Sequence, residues 1–472
     1  MPNNLPNNLP EQLLEQAIAS GAQVAEVYES RTFSRPVLFE GNRLKQIETT
    51  QSEGIALRLW RDGRPGLVVG YGPIAAEVLV EKALAVSTLN PPEMPNLTTA
   101  SPNGGLPAGQ SSQRHFPDMG MTVAVEQLVR WGEGAIARLR DRFPEVICEA
   151  EIACDVDYTR LINSTGLDYC SQDTTLSGYI TAELVNQDDF LSVSDGVLGR
   201  IDSEAASKPG PDQLQLDQQD QAGLDLDKAV NSIIQRLNWA QRTVAPATGQ
   251  VPIIFTPRAA WLLWETLQLA LNGKRVKENI SPWSQQWGQQ VVAAAITLGQ
   301  DPSFGPYRCP FDDEGILTRP LVLIEGGHIK NWYCDRVTGE PNTDLTVAGL
   351  GLGSTGNGIR PGLGSYPTPG LINLIITPGN HSWEDLIAQQ KDAIIVDQVM
   401  GEGGDITGDL SVNLDLGYRV SKGEIIGRVK DTMVSGNAYS ALNNLVALGC
   451  DTDWSGSTYT PSVVVESLSV TG

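Results

Sequence analysis

The chain has 472 residues, 41% hydrophobic and 19% charged, which is too apolar for a disordered chain and enough for two or three cored domains. Lys and Arg number 33 against 56 Asp and Glu, a net charge of -23 that argues against nucleic acid and anionic membranes as partners. No window reaches the ~18 to 20 apolar residues of a spanning helix. The opening MPNNLPNNLPEQLLEQAI lacks the basic and apolar regions of a signal peptide, so residues 1–10 read as a disordered lead. Six scattered cysteines without a CxxC (148, 154, 170, 309, 334, 450) predict reduced thiols and a cytoplasmic setting.

Taken in chain order, the first element is a helix over 11–19, with Leu13, Leu14, Ala17 and Ile18 at helical spacing and Gly21 as its C-cap. Short strands follow at 25–30, 36–41, 43–49 and 54–60, punctuated by Gly41-Asn42 and Asp62-Gly63, the pattern of an antiparallel meander. A helix over 75–87 comes next. Residues 89–118 shift to Pro, Asn, Ser, Gly and Thr and read as a mobile connection. Beyond it come an amphipathic helix over 123–142, strands over 146–166 and 178–186, a polar stretch over 205–223, and a helix over 224–239. A composition shift near Ala245 predicts a domain boundary, giving 11–244 and 245–472. The second part opens with a strand over 250–257 and a long helix over 258–272. Thereafter it is β-rich, with hairpins over 321–333 and 418–429 and a closing strand over 462–470. The fold class is α+β, with an antiparallel N-terminal sheet and a β-rich C-terminal domain around one long buried helix.

Four features carry chemistry as candidates. AGLGLGSTGNGIRPGLGSYPTPG (348–370) contains G-x-G-x-x-G at Gly351, Gly353 and Gly356, but Gly358, Pro361, Gly362 and Gly364 forbid the helix that a dinucleotide motif must open. It reads instead as a loop of left-handed positions near another backbone or a ligand. His115, His328 and His381 lack ligand spacing, so each is a surface or turn residue rather than part of a metal site. Glu402, Asp405, Asp409 and Asp415 do not follow a calcium-loop pattern and read as a solvated edge. The helix RAAWLLWETLQLALN is apolar on most faces and carries one charge, Glu265. That carboxylate is paired, sits at an opening, or has a shifted pKa.

At this helix and around it the sequence resembles the TldD/PmbA (TldE) family of metallopeptidases. The resemblance runs in order through GAQVAEVYESR (21–31), SEGIALRLWRDGRPG (52–66), GQQV (288–291), LIEGGHIKNWYCD (323–335), STGNGIRPG (354–362), PGLINLIITPG (369–379), ITGDLSVNLDLGYRVSKGEIIG (406–427) and the segment 435–472. The TldD kind of subunit carries His-Glu-x-x-x-His on the long helix and a Cys near the C-terminus, and these hold zinc. Laid on this chain, the pattern falls on Trp264, Glu265 and Leu269, with Cys450 near the expected thiol. Indole and isobutyl groups cannot ligate zinc. The resemblance therefore implies the PmbA/TldE kind of subunit, without catalytic residues or metal of its own. Zinc would come from a TldD-like partner in a heterodimer that cuts unfolded peptides. Gly356, Asn357, Gly358 and Arg360 become candidates for lining a peptide channel. Two other readings remain open: a self-sufficient homodimeric peptidase using Cys450 or Glu265, and a stand-alone peptide-binding scaffold homodimer.

Overall fold

The computed structural model describes residues 8–99, 123–186, 189–201, 224–340, 347–401 and 403–472. They form two compact units. One holds the chain up to Ile234 together with Asp313–Gly315 and Arg360–Pro367; the other holds the remainder. The division after Ile234 falls inside a helix, Leu226–Trp239.

The N-terminal unit is built on an antiparallel sheet with strands β1 (Val24–Glu40), β2 (Arg43–Ile47), β3 (Thr50–Arg61), β4 (Arg64–Tyr71), β5 (Ile147–Asn163), β6 (Asp168–Asn186) and β7 (Asp189–Ile201). Their order is β4-β3-β1-β5-β6-β7, with β2 paired to one end of β1. Helices α1 (Leu9–Ala19), α2 (Ala76–Ser87) and α3 (Val125–Arg142) cover one face. Alternation explains the layering, since strand side chains point to opposite faces in turn. Ala25, Val27, Ile55, Leu57, Leu59 and Ile162 point to α1 and α2 and are buried with Leu9, Leu13, Leu79 and Ala83. The other face carries Thr32, Ser34, Asp155 and Asp157, half-buried and polar, with Thr32 Oγ1 donating to Asp157 Oδ1 at 2.7 Å.

Three expectations change here. The strands expected at 25–30 and 36–41 are one strand, β1. Pro36 does not break it: the ladder to β5 runs on through Pro36↔Ala153, while on the opposite edge, where Pro36 O accepts from Glu48 N, the ladder to β3 ends at Ser34 and the ladder to β2 begins at Val37. Its missing N–H therefore costs no ladder bond. The strand expected at 178–186 begins at Asp168, and β7 follows where none was expected. Residues 168–177 are mostly polar, but they continue in unbroken register with β5, from Ile162↔Asp168 to Ile147↔Glu183. The start of the segment read as mobile is tied down: Glu93 N donates to Gly63 O, Trp60 Nε1 to Glu93 Oε1, and Asn163 Nδ2 to Thr98 O. Residues 100–118 of that segment, the polar stretch 205–223 and residues 1–7 of the lead lie outside the described residues, whereas Leu9 and Pro10 of the lead are buried at the start of α1.

The C-terminal unit begins in the last part of helix α4 (Leu226–Trp239). Its larger sheet contains β8 (Gly249–Phe255), and helix α5 (Pro257–Leu271) follows at once, with a short α6 (Gly273–Lys277) behind it. Next in the chain come β9 (Leu298–Gln300), β10 (Leu321–Glu325), β11 (His328–Ile329), α7 (Arg336–Gly339), β12 (Gly358–Ile359), β13 (Thr368–Pro369) and β14 (Leu374–Ile376). The last stretch holds α8 (Trp383–Ala388), β15 (Asp392–Met400), β16 (Asp409–Ser421), β17 (Glu424–Val429), β18 (Met433–Asn437), α9 (Ala438–Asn443), β19 (Leu445–Leu448), β20 (Asp453–Ser455), β21 (Thr458–Thr460) and β22 (Val463–Thr471). The larger sheet runs β15-β8-β22-β18-β16-β17, and a β15–β16 ladder closes it on itself. The smaller runs β11-β10-β9-β14-β21-β20. Helix α5 touches β8 and β15 of the first and β20 and β21 of the second. A helix enclosed by two sheets must be apolar nearly all round, as this one is.

Four tight hairpins join neighbouring strands through two left-handed residues each: Gly41-Asn42, Asp62-Gly63, Gly326-Gly327 and Lys422-Gly423, all at φ between 52° and 80°. Turns of this hand match the twist of the flanking strands, which is why Gly, Asn and Asp supply most of these positions.

A buried ion pair ties α4 to the larger sheet. Arg236 Nε donates to Asp397 Oδ2 at 2.7 Å, Thr256 Oγ1 donates to Asp397 Oδ1, and Tyr418 OH donates to Arg236 O. Replacing Asp397 with Ala strands a buried guanidinium and should cost about 3 to 5 kcal/mol in denaturant unfolding. A second prediction concerns pH. Burial, reinforced by neighbouring Asp155, raises the Asp157 pKa above 3.8 against the lowering effect of the Thr32 hydroxyl. The folded state thus holds this proton more tightly, and the stability it contributes is lost as pH rises from 3.8 through the raised folded value. Asp157→Asn should raise the unfolding midpoint at about pH 7 and leave it nearly unchanged at about pH 3.

Candidate functional site

Helix α5 carries three of the sequence-predicted residues, Trp264, Glu265 and Leu269. Pro257 occupies its first turn, where a missing N–H is harmless. Leu262, Leu263, Trp264, Leu267 and Leu271 are fully buried. Arg258, Trp261, Glu265, Gln268 and Leu269 are half-buried and fall three or four residues apart, so they form one stripe on a more open side. Trp264 and Leu269 therefore do not share an environment. Five residues turn an α-helix through about 500°, which sets the two side chains roughly 140° apart. Trp264 points into the core and donates its indole N–H to Thr460 Oγ1 at 2.7 Å. Leu269 lies on the open stripe with Glu265 and outside the core cluster.

Glu265 meets the backbone of the acidic stretch that follows β15. A Cβ at Gly403 would fall 1.8 Å from Glu265 Oε2 and 2.7 Å from Trp261, and a Cβ at Gly404 would fall 2.7 Å from Thr266 Oγ1. Paired glycines let the chain press onto the helix at this point. No sequence pattern signals the contact, because the partners lie far apart along the chain. The acidic residues themselves point away. Asp405, Asp409 and Asp415 are exposed, the last two at the outward positions of β16, and Glu402 lies outside the described residues. Asp405 accepts hydrogen bonds from the Thr407 hydroxyl and amide, which hold its pKa below the usual carboxylate value.

The remaining candidates are dispersed. Cys450 is exposed and free, and its N–H donates to His381 O at 2.8 Å. His381 is exposed, with Nδ1 3.5 Å from Gln389 Nε2, and His328 Nδ1 contacts Gly326 O in its hairpin. His115 lies outside the described residues. Among the described residues no group of three or more His, Cys, Asp and Glu side chains converges in a way that could hold a metal. Glu265 and Cys450 alone do not satisfy the three or four donors that zinc requires.

In the glycine-rich segment no helix follows Gly356, so the G-x-G-x-x-G has no dinucleotide geometry. Gly349, Gly351, Gly353 and Gly356 all have positive φ, and a Cβ at Gly349 would strike Trp287. Asn357 is completely buried. Its Oδ1 accepts from Gln300 Nε2 and Thr355 Oγ1, while Nδ2 donates to Gln300 Oε1 and Gly370 O. Its amide is committed to holding the loop. Gly358 N donates to Asp312 Oδ2 at 2.8 Å.

Arg360 belongs to the N-terminal unit. Its Nη2 lies 2.7 Å from Glu26 Oε1, an oxygen that Arg58 Nη2 also reaches at 2.9 Å. The guanidinium stacks over Tyr28 at 4.9 Å, and Arg360 N donates to Asp313 Oδ2. Burial raises the Asp313 pKa in spite of this arginine. Sequence reading named Arg360 without its partners Glu26, Tyr28 and Asp313, which lie far from it along the chain.

Two substitutions separate these roles. Trp264→Phe removes a buried hydrogen bond and should cost about 1 to 3 kcal/mol, whereas Leu269→Ala on the open stripe should cost about 1 kcal/mol or less. Asn357→Ala leaves the Gln300 amide underpaired in the interior and should cost about 2 kcal/mol or more in the same denaturant assay.

Two family models match the chain: the PmbA/TldA metallopeptidase domain 1 over residues 25–87 and the PmbA/TldA metallopeptidase C-terminal domain over 248–472. An uncharacterised protein of Methanocaldococcus jannaschii is 26% identical over 93% of this chain and 94% of its own length. The metalloprotease PmbA homologue of Haemophilus influenzae is 24% identical over 70% of each chain. Metalloprotease PmbA of Escherichia coli is 26% identical, over about half of each: 48% of this chain and 47% of its own length. The crystal structure of TldE from Thermococcus kodakarensis superposes with a TM-score of 0.80 at 22% identity, covering 98% of this chain and all of that one. A putative modulator of a DNA gyrase from Thermotoga maritima gives a TM-score of 0.76 at 22% identity, over 98% and 99% of the two chains. These structures share the α+β fold described above. With both family domains in order and more than half of its length matched, the chain belongs to the PmbA/TldD metallopeptidase family.

Proposed function

We propose that this chain is the PmbA/TldE-type subunit of a two-component peptidase, in which a TldD-type partner supplies the zinc and this chain contributes to holding unfolded peptide. The observation that carries the proposal is Trp264. At the position where the resemblance places an imidazole ligand, this chain has an indole, a donor without a lone pair to offer, and its N–H is spent on Thr460. Leu269 offers no donor atom either. Glu265 survives from the pattern, but a carboxylate can activate water in metal-assisted hydrolysis only where a metal is held beside it. Peptide would be bound by strand addition, which reads backbone rather than sequence and suits unfolded substrates. Six free thiols accord with a cytoplasmic setting.

Co-expression with a TldD-type chain is the test, followed by metal analysis of the purified pair and of this chain alone. The pair should carry about one zinc and cleave an unstructured peptide, and this chain alone should do neither. Chelator-sensitive cleavage by this chain alone would refute the assignment. Failure to form a complex with any TldD-type chain would favour the stand-alone homodimer.

A further inference from the structure

A cavity of about 600 Å³ opens on the helix-covered side of the N-terminal unit, between the β1–β2 hairpin and α3. Phe39, Leu44 and Ile136 give it apolar walls. Arg43 and Arg140 contribute two cations, and Glu133 and Asp141 two anions. None of these four charges forms an ion pair among the described residues. The walls are held in place. Asn42, at the left-handed turn before Arg43, donates its N–H to Cys148 O and its Nδ2 to Val146 O, and accepts from Cys148 N. Across the cavity, Gly132 lets α3 press onto Phe39, whose ring would lie 2.2 Å from a Cβ there.

We infer that this cavity binds a short peptide with free termini, about three residues long, carrying an apolar side chain. Glu133 and Arg140 are seven residues apart on α3, so they share a face and are separated along it by about 10 Å. An extended tripeptide spans about the same distance. Its ammonium meets Glu133, its carboxylate lies between Arg43 and Arg140, and its side chain covers Phe39 and Ile136. Asp141 brings the sum of the four charges to zero. The cavity therefore selects by where charge is placed, favouring a zwitterion over a simple anion or cation. The inference stands apart from the peptidase assignment, because the ligand chemistry comes from this cavity alone. A free tripeptide is nevertheless what a peptidase would release.

Calorimetric titration of the full chain with free Ala-Leu-Ala provides the test, with the N-acetylated, C-amidated peptide as comparison. The free peptide should bind in the millimolar range or tighter, more weakly as salt rises. Glu133→Gln and Arg140→Gln should each weaken binding about threefold or more, and Arg130→Gln, on α3 but outside the cavity, should leave it unchanged. The blocked peptide should lose most of its binding. All three variants alter exposed positions, and circular dichroism checks that they fold. Absence of binding by the free peptide up to about 10 mM overturns the inference, as does equal binding of the blocked peptide or insensitivity to both cavity variants.

Discussion

Two sheets closing on one helix decide what the C-terminal unit can do chemically. Helix α5 meets β8 and β15 on one side and β20 and β21 on another, so only the stripe from Arg258 to Leu269 is left partly open. Any side chain off that stripe is compelled to be apolar or to find a fixed partner, since an unpaired polar group there would cost about 1 to 3 kcal/mol. Trp264 meets the requirement with its bond to Thr460. A metal ligand at that position would need a cavity, further donors and a path for the ion, and the packed indole fills the space where they would be.

The N-terminal unit solves a different problem. Its long antiparallel strands bury one face under helices and leave the other half-buried and hydroxyl- and carboxylate-rich. Polar residues on that second face satisfy one another across strands, as Thr32 does with Asp157, or pair with arginines, as Glu26 does with Arg58 and Arg360. Such pairing relieves the like-charge contacts of this face only in part, since Asp155 still helps to raise the Asp157 pKa.

Much of this was legible in the sequence where a period or a turn residue carried it. Alternation in SVVVESLSV marks β22, Gly41-Asn42 and Asp62-Gly63 mark hairpins, and the all-round apolar run of α5 announces a helix enclosed on several sides, whereas the acidic stretch read as a solvated edge runs into β16. Where the sequence misled, tertiary context prevailed. Pro36 reads as a break but sits at a change of ladder partner. Residues 168–177 carry too few apolar side chains for alternation to mark them as strand, although Leu176 is fully buried. Trp264 and Leu269 look equivalent as lost ligands until helical geometry turns one inward and the other outward. The contacts of Glu265 with Gly403 and of Arg360 with Glu26 join residues too far apart for any local pattern to reveal.

The central claim is that α5 offers zinc no coordination sphere in this chain. Crystals grown in excess zinc and measured on both sides of the zinc absorption edge test it most directly. The account predicts no anomalous peak within about 2.5 Å of Glu265 or any other side chain of α5. A well-occupied peak bonded to Glu265 and closed by further protein ligands such as Cys450 would contradict it.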